Sequence, residues 1–267
     1  MHRRTLGLLS GLALGYGLAR WMSRPLPPPE RVAHRGGAAD APENTLAAFR
    51  NAMAAGIPNW ELDIQLTADE ALVVFHDETL DRTTDGQGPL AGHTLAELQR
   101  LDAGSWFGPE WRGERIPTLT EVIALARTAP NGGARLVIEI KSPHLYPGIE
   151  ECLLDVLRAE NFMDQVLIMS FDGDSLERVR ELAPELPLCY LTGEDSIWPQ
   201  EPPAHAEILG PKWQLIALNP LVIVLAHRAG RQVFTWTVNS DLGLRWLRLW
   251  GVDGITSDRL DLLQSIR

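Results

Sequence analysis

Cysteine and lysine are both scarce in this sequence of 267 residues. The two cysteines, Cys152 and Cys189, lie 37 residues apart, which excludes a disulfide framework and leaves the redox compartment open. The two lysines stand against 22 arginines. One of them, Lys141, lies two residues after Glu139 in LVIEIKS. Because lysine is rare in this chain, Lys141 is a candidate for a specific role.

Internal repeats, low-complexity segments and a basic body are also absent. Without a repeat, solenoids and propellers are excluded, and no Gly-x-Gly-x-x-Gly follows the first predicted strand to suggest a dinucleotide site. The net charge is −11, but residues 1–31 carry five arginines and one glutamate, so residues 32–267 carry −15. Such an acidic body argues against nucleic-acid binding, which needs a basic face.

The first 31 residues differ from the rest of the chain. A basic start, MHRR, precedes an uncharged apolar run of 15 residues, Thr5–Ala19, and a proline-rich spacer, RPLPPPE. The run fits a cleaved signal as well as an uncleaved anchor. We therefore predict that the protein is membrane-anchored or exported, with a cytoplasmic location as the alternative, and that residues 32–267 form the folded body.

Short apolar stretches alternate with amphipathic ones throughout this body, which predicts an α/β fold with a parallel sheet covered by helices. About eight βα units favour a (β/α)8 TIM barrel over an open doubly wound sheet. Residues 77–116 are too many for one βα loop and predict an excursion over one end of the barrel. The predicted strands are Val32–Ala33, Trp60–Leu66, Leu72–Phe75, Leu136–Ile140, Val166–Ser170, Leu188–Leu191, Leu215–Leu218, Val233–Val238 and Gly254–Thr256.

Carboxylates interrupt two strands that should be apolar. Glu61 and Asp63 are two residues apart in NWELDIQL, and Glu139 and Lys141 repeat this spacing in LVIEIKS. Residues two apart share a strand face, and in a barrel they would point inward near the active-site end. Buried carboxylates repel unless a cation joins them, so three of them predict a divalent cation, Mg²⁺ or Ca²⁺. The alternative is structural ion pairing, of Glu61 with Arg35 or Glu139 with Lys141.

Two histidines, His34 and His76, directly follow predicted strands. Since the histidine pKa lies near neutrality, a histidine beside a metal-bound phosphate suits general acid or base catalysis. A histidine that locks a loop by hydrogen bonding is the alternative for each alone, and the pair favours catalysis. Arg35 and Lys141 are natural partners for phosphate oxygens.

Four further residues have open roles. In APENT, Glu43 is either a ligand of the metal or substrate or an ordinary loop residue, and Asn44 is the expected N-cap of the following helix. Phe171 and Trp236 follow or end strands and fit an apolar wall of the site, although barrel packing explains them equally well.

In order and spacing, several motifs resemble the glycerophosphodiester phosphodiesterase family. They are AHRGG, APENTLAAFRNAMAAG, ELDIQLTADEALVVFHDETLDRTTDGQG, LAELQRLDAGSWF, IPTLTEV, LVIEIKS, VFTWTVN and GVDGITSD, and they span about Val32 to Asp258. The resemblance implies a TIM barrel with a small inserted subdomain after the second strand. It also implies metal-dependent hydrolysis of glycerophosphodiesters to glycerol 3-phosphate and an alcohol.

The resemblance implies roles for ten residues and for the glycines after Arg35, which would keep the backbone clear of the substrate. It leaves open which histidine is the acid, and whether water or the glycerol 2-hydroxyl is the nucleophile. The less family-like region Thr192–Trp213 would shape the leaving-alcohol side. The implied roles are metal ligation by Glu61, Asp63 and Glu139, acid–base catalysis by His34 and His76, phosphate contact by Arg35 and Lys141, metal or substrate contact by Glu43, and a glycerol pocket of Phe171 and Trp236.

Two other functions are alternatives. A membrane-associated lysophospholipase D acting on lysophospholipids would share the fold and the motifs, and an N-terminal anchor would hold it near such substrates. A non-catalytic, membrane-tethered binding protein is the remote alternative. It predicts loss of the carboxylates and histidines, and both sets are intact in the sequence.

Overall fold

The structure is a computed structural model that describes residues 26–193, 203 and 205–266. Within this part, eight parallel strands close into a barrel, because the first strand pairs with both the second and the last. The predicted (β/α)8 barrel is therefore confirmed. The barrel strands are β1 (Glu30–Ala33), β2 (Asn59–Leu66), β4 (Arg135–Ile140), β5 (Val166–Ser170), β6 (Leu188–Thr192), β7 (Ile208–Pro211), β8 (Gln232–Thr235) and β9 (Gly254–Ser257), while β3 (Leu72–Val74) runs antiparallel to β2.

Helices follow the barrel strands and cover the outside of the sheet, as the alternating pattern predicts. Several begin at a side-chain cap: Thr118 and Glu121, for example, form a capping box at one helix start. The helices are α1 (Leu46–Ala54), α2 (Leu95–Leu98), α3 (Leu119–Arg127), α4 (Ile149–Ala159), α5 (Gly173–Leu182), α6 (Trp213–Leu218), α7 (Leu221–Arg228), α8 (Asp241–Trp250) and α9 (Leu260–Gln264).

Successive side chains of β2 point alternately to the helix-covered face of the sheet and to the barrel interior. Trp60, Leu62 and Ile64 belong to the large core between sheet and helices, so Glu61 and Asp63 face the barrel interior. Apolar side chains form the second core, inside the barrel, and the carboxylates therefore lie in surroundings poor in water. The residues of this interior core are Val32, Val137, Leu167, Met169, Cys189, Leu191, Ile208 and Phe234.

One predicted strand, Leu215–Leu218, is wrong: these residues belong to helix α6, and the sixth barrel strand is β7, Ile208–Pro211. A short apolar run carries no periodicity that separates helix from strand. The true strand was hidden by its glycine and proline, which are poor strand formers. Gly210 is needed there, since an added Cβ would lie 2.7 Å from the Leu191 side chain.

Residues 77–116 extend from β3 towards α3 and have a small apolar core of their own, which includes Leu80, Leu90, Leu98 and Ile116. The predicted N-terminal apolar run, Thr5–Ala19, lies outside the described residues, as does much of the region 192–213. In the described part of the chain, no helix is both long and apolar enough to cross a membrane.

Candidate active site

Strand register brings the three predicted carboxylates together. Asp63 of β2 lies beside Glu139 of β4, and Glu61 lies two residues earlier on the same face of β2. One oxygen from each carboxylate lies within 4.8 Å of the other two, and all three residues are buried. Two features therefore build the cluster: the two-residue spacing of Glu61 and Asp63 on β2, and the pairing of Asp63 with Glu139 of β4.

This carboxylate cluster needs a positive charge. Burial, and then the charges of Asp63 and Glu139, raises the pKa of Glu61 well above its usual value. Burial followed by the charge of Asp63 raises the pKa of Glu139 to about 7. For Asp63, burial acts in the opposite direction, but Arg35 and other cations hold its pKa below the usual value. Glu61 Oε1 and Asp63 Oδ1 have no hydrogen-bond partner among the described residues. The cluster offers only oxygen atoms as metal ligands, and such a set fits a hard divalent cation.

Both ion-pairing alternatives can be compared with the structure. Lys141 Nζ lies 2.9 Å from Glu139 Oε1, so that pair does form. Glu61 pairs differently, because its Oε2 accepts a hydrogen bond from the backbone N–H of Arg35 at 2.7 Å. Lys141 and Arg35, whose Nε lies 3.4 Å from Asp63 Oδ2, supply two positive charges for three carboxylates, so a further cation is compatible with both contacts.

His34 lies directly after β1, and its Nδ1 is 2.6 Å from Asp258 Oδ1. Although burial opposes it, the hydrogen bond from His34 lowers the pKa of Asp258. An ionised Asp258 accepts a hydrogen bond, so Nδ1 donates and Nε2 is left as the basic nitrogen. That Nε2 lies 3.9 Å from Glu61 Oε2, at the edge of the carboxylate cluster.

His76 has the same arrangement on the opposite side of the cluster. Its Nδ1 lies 2.6 Å from Asp77 Oδ1, and Arg82 donates to both oxygens of Asp77. Burial opposes the effect, but Arg82 holds the pKa of Asp77 at about 2. Burial also lowers the pKa of His76, which is therefore neutral at pH 7. The Gln65 amide nitrogen lies within 3.1 Å of the carbonyl oxygens of residues 75, 76 and 77, and its two N–H groups are shared among them, which fixes this loop.

Glu43 lies outside the carboxylate cluster. Its Oε1 accepts from Arg35 Nη1 at 2.6 Å, and Arg82 donates to both of its oxygens. Arg35 also places Nε 3.4 Å from Asp63 Oδ2. Glu43 therefore holds two arginines at the site, and through Arg82 it is linked to the loop that carries His76.

One expectation for this loop is corrected. Asn44 does not cap α1; its amide donates to Asp63 Oδ2 at 2.8 Å, and the Thr45 hydroxyl is the cap. Gly36 packs closely on the same helix: its φ is 81°, and an added Cβ there would lie 2.8 Å from Ala48 Cβ.

A cavity of about 230 Å³ lies over the cluster. Eight of the ten predicted site residues line it, while Asp63 and Glu43 lie behind, each in contact with Arg35. Phe171 and Trp236 pack edge to face, with ring centroids 5.4 Å apart, and form its apolar wall. A wider opening of about 710 Å³ shares His76, Glu139, Lys141 and Phe171 with the cavity. Cations, two bases and an apolar wall thus surround one small space.

The comparisons with known proteins agree with this geometry. Residues 34–262 match the model of the glycerophosphoryl diester phosphodiesterase family. The chain belongs to the glycerophosphodiester phosphodiesterase family. It is 43% identical over 238 residues to a glycerophosphodiester phosphodiesterase of Caldanaerobacter subterraneus subsp. tengcongensis, covering 88% of this chain and 96% of the relative. A glycerophosphodiester phosphodiesterase of Bacillus subtilis is 35% identical, with 97% of each chain covered.

Solved structures of the family share the fold. An Oleispira antarctica phosphodiesterase, solved in complex with the product sn-glycerol-3-phosphate, has a TM-score of 0.80 and 33% identity, covering 89% of this chain and 96% of that one. A glycerophosphodiester phosphodiesterase from Agrobacterium tumefaciens has a TM-score of 0.77 and 30% identity, covering 89% of this chain and all of that one. The resemblance inferred from the motifs is confirmed, and the chain is a phosphodiesterase.

The sequence interpretation missed several residues that hold the site. Asp258 and Asp77 orient the two histidines, Arg82 connects Asp77 with Glu43, and Asn44 binds Asp63. Asp77 and Arg82 lie within the motif HDETLDRTT, where the spacing of five residues was a usable signal. Asp258 lies 224 residues from His34, and no local pattern connects them.

Proposed function

We propose that this enzyme hydrolyses glycerophosphodiesters to glycerol 3-phosphate and an alcohol. The observation that carries the proposal is a small cavity with a buried carboxylate cluster, flanked by two histidines that are each held at Nδ1 by an aspartate. The Oleispira relative, whose complex contains sn-glycerol-3-phosphate as product, supports the same product here.

In this proposal, Glu61, Asp63 and Glu139 hold one divalent cation, Mg²⁺ or Ca²⁺. When bound, such an ion polarises the phosphoryl group and offsets its developing charge. Arg35 and Lys141 line the cavity beside the carboxylates and contact the phosphate oxygens. The edge-to-face pair of Phe171 and Trp236 packs against the glycerol carbons and excludes water from that side.

The two histidines move the protons. One takes a proton from the nucleophile, which is water or the glycerol 2-hydroxyl, and the other gives a proton to the departing alkoxide. Because both are tied through Nδ1, each uses Nε2 towards the substrate. The low pKa of His76 suits it to start as the base.

A direct test follows choline release from glycerophosphocholine by the purified, metal-stripped protein, with EDTA, Mg²⁺ or Ca²⁺. We expect glycerol 3-phosphate and choline to form, and we expect their formation to depend on the ion. Faster release from lysophosphatidylcholine would assign the enzyme to the lysophospholipase D activity instead. Hydrolysis that is equally fast in EDTA would contradict the metal-assisted mechanism.

We predict that His34→Ala lowers kcat by about 10²- to 10⁴-fold, the usual contribution of a general acid or base. Glu61→Gln should lower it by about 10²-fold or more, because it removes a ligand of the cation that offsets the developing phosphoryl charge. His93→Ala is the matched control, since this histidine of residues 77–116 does not line the cavity. Circular dichroism checks that each variant folds. Near-normal turnover of either site variant would remove that residue from the mechanism.

A further inference from the structure

Exposed leucines are concentrated on one side of the barrel. Of the seven large hydrophobic side chains that are exposed in the described residues, five lie on helices α6, α7 and α8. Leu218 is 78% exposed, Leu242 is 71% and Leu249 is 70%. Clustered exposed apolar side chains of this kind mark interaction surfaces. The five are Leu218, Leu221, Leu225, Leu242 and Leu249.

Positive charge collects on the same helices. Residues 212–250 contain five lysines and arginines and a single carboxylate, Asp241, in a body with a net charge of −15. Arg228 and Arg245 are exposed, and neither forms an ion pair within the described part of the chain. Arg228 and Arg245 therefore do not serve to neutralise neighbouring carboxylates.

The three helices form one continuous surface. Helices α6 and α7 connect β7 to β8, α8 connects β8 to β9, and these strands are neighbours in the barrel. At the mouth end the Trp213 ring lies close to Gly243 of α8. We call the exposed leucines of this surface, together with Arg228 and Arg245, the leucine–arginine face.

The chain enters the barrel at this face. Pro27, Pro28 and Pro29 run along α8 beside Arg245 and Leu249, and the Leu26 side chain lies on Gly251. Leu26 is the first residue that the structure describes, and it lies next to the leucine–arginine face. The 25 residues before it in the sequence include the apolar run Thr5–Ala19 and four arginines.

We propose that the leucine–arginine face docks on the surface of an anionic phospholipid bilayer. Leucines that enter the boundary between headgroups and acyl chains, next to cations that meet anionic headgroups, are the two components of interfacial binding. A second copy of the chain fits less well, because a symmetric dimer would bring two copies of the same arginine-bearing face together. The face extends along α8 from Asp241, at the mouth end of the barrel, to Trp250, at the end where Leu26 lies, so docking brings the mouth beside the bilayer.

The test uses the full chain with a polarity-sensitive fluorophore on Leu225→Cys, in a Cys152→Ser background; Cys189 is buried. Leu145→Cys is the matched control, an exposed leucine after β4 on the opposite side of the barrel. With vesicles of equal parts phosphatidylglycerol and phosphatidylcholine, we expect a blue shift at position 225 and none at position 145. Vesicles of phosphatidylcholine alone should give a much weaker shift.

Charge reversal tests the electrostatic part. Each cation near an anionic surface strengthens binding by about fivefold, so Arg228→Glu with Arg245→Glu should lower partition by at least about 25-fold and remove the shift. No shift at position 225 on vesicles that retain the protein would overturn the proposal, because residues 1–25 alone would then bind. Equal shifts at both positions, or a concentration-dependent shift without lipid, would also overturn it. The readout is lipid contact, so it stands apart from hydrolysis.

Discussion

An aspartate orients each candidate catalytic histidine through Nδ1. This role does not require contact between the aspartate and the substrate. The Asp258 carboxylate accepts from His34 Nδ1 and also from the Asn239 side-chain amide at 2.6 Å. Asp77 plays the same part for His76 and is itself held by Arg82. Partners of this kind fix the tautomer of a histidine and the direction of its basic nitrogen.

We therefore predict that Asp258→Asn lowers kcat by about 10- to 100-fold, the usual effect of losing such a partner, with little change in KM. The matched control is Asp253→Asn, because Asp253 Oδ2 lies 2.8 Å from His227 Nε2 in an equivalent pair remote from the cavity. Steady-state kinetics of both variants decide the matter. If the two fall equally, the loss reflects general stability instead of histidine orientation.

For single residues, the sequence predicted which side chains form the site better than it predicted which residues hydrogen-bond to them. The i,i+2 spacing of Glu61 and Asp63 was sufficient, since a strand alternates its faces regardless of the rest of the fold. The roles of Asn44 and Asp258 depend on contacts made only after the barrel closes, 19 and 224 residues along the chain from their partners. No periodicity encodes such contacts.

The loop between β1 and α1 illustrates how an element positions the site. Arg35 has a φ of 50° and Gly36 a φ of 81°, and this sharp turn directs the Arg35 backbone N–H to Glu61. Gly36 at the same time lies against the Ala48 backbone of α1. The loop conformation and the helix position are therefore coupled through one residue without a side chain.

We predict that Gly36→Ala destabilises the fold by about 2–4 kcal/mol, combining a left-handed backbone with overpacking. Gly56→Ala is the matched control: its φ is 68°, but an added Cβ meets no atom within 4 Å, so only the backbone cost of about 1 kcal/mol applies. Urea unfolding measures both variants. Equal losses would mean that Ala48 and α1 yield freely to the new methyl group.

Element boundaries were predictable where pattern and propensity agreed, as in β4 and β5. They were not predictable at β7, where packing against Leu191 and Cys189 requires Gly210 in a strand that local preference disfavours. The apolar run of α6 was therefore predicted as a strand instead of β7. Tertiary packing overrode local preference at that one barrel strand.

At the scale of the whole molecule, the barrel encloses three carboxylates in an apolar interior. Two of them, Glu61 and Glu139, have raised pKa values, and below the unfolded-state pKa of about 4.3 both are protonated whether the chain is folded or not. As the pH rises from there towards the folded-state pKa of Glu139, about 7, and the raised pKa of Glu61, the unfolded chain releases protons that the metal-free fold retains. The metal-free protein should therefore lose stability across this range.

A bound cation reverses that loss, because it replaces the protons that the cluster otherwise retains. We predict that saturating Ca²⁺ or Mg²⁺, about 100 times Kd, stabilises the fold by about 3 kcal/mol near pH 8, which raises Tm by several degrees. Near pH 5 the gain should be much smaller. Thermal unfolding with EDTA or the ion measures this, and Glu139→Gln should flatten the pH dependence of the metal-free protein. A Tm gain that is equal at both pH values, or that persists in Glu61→Gln, would mean that the ion binds elsewhere.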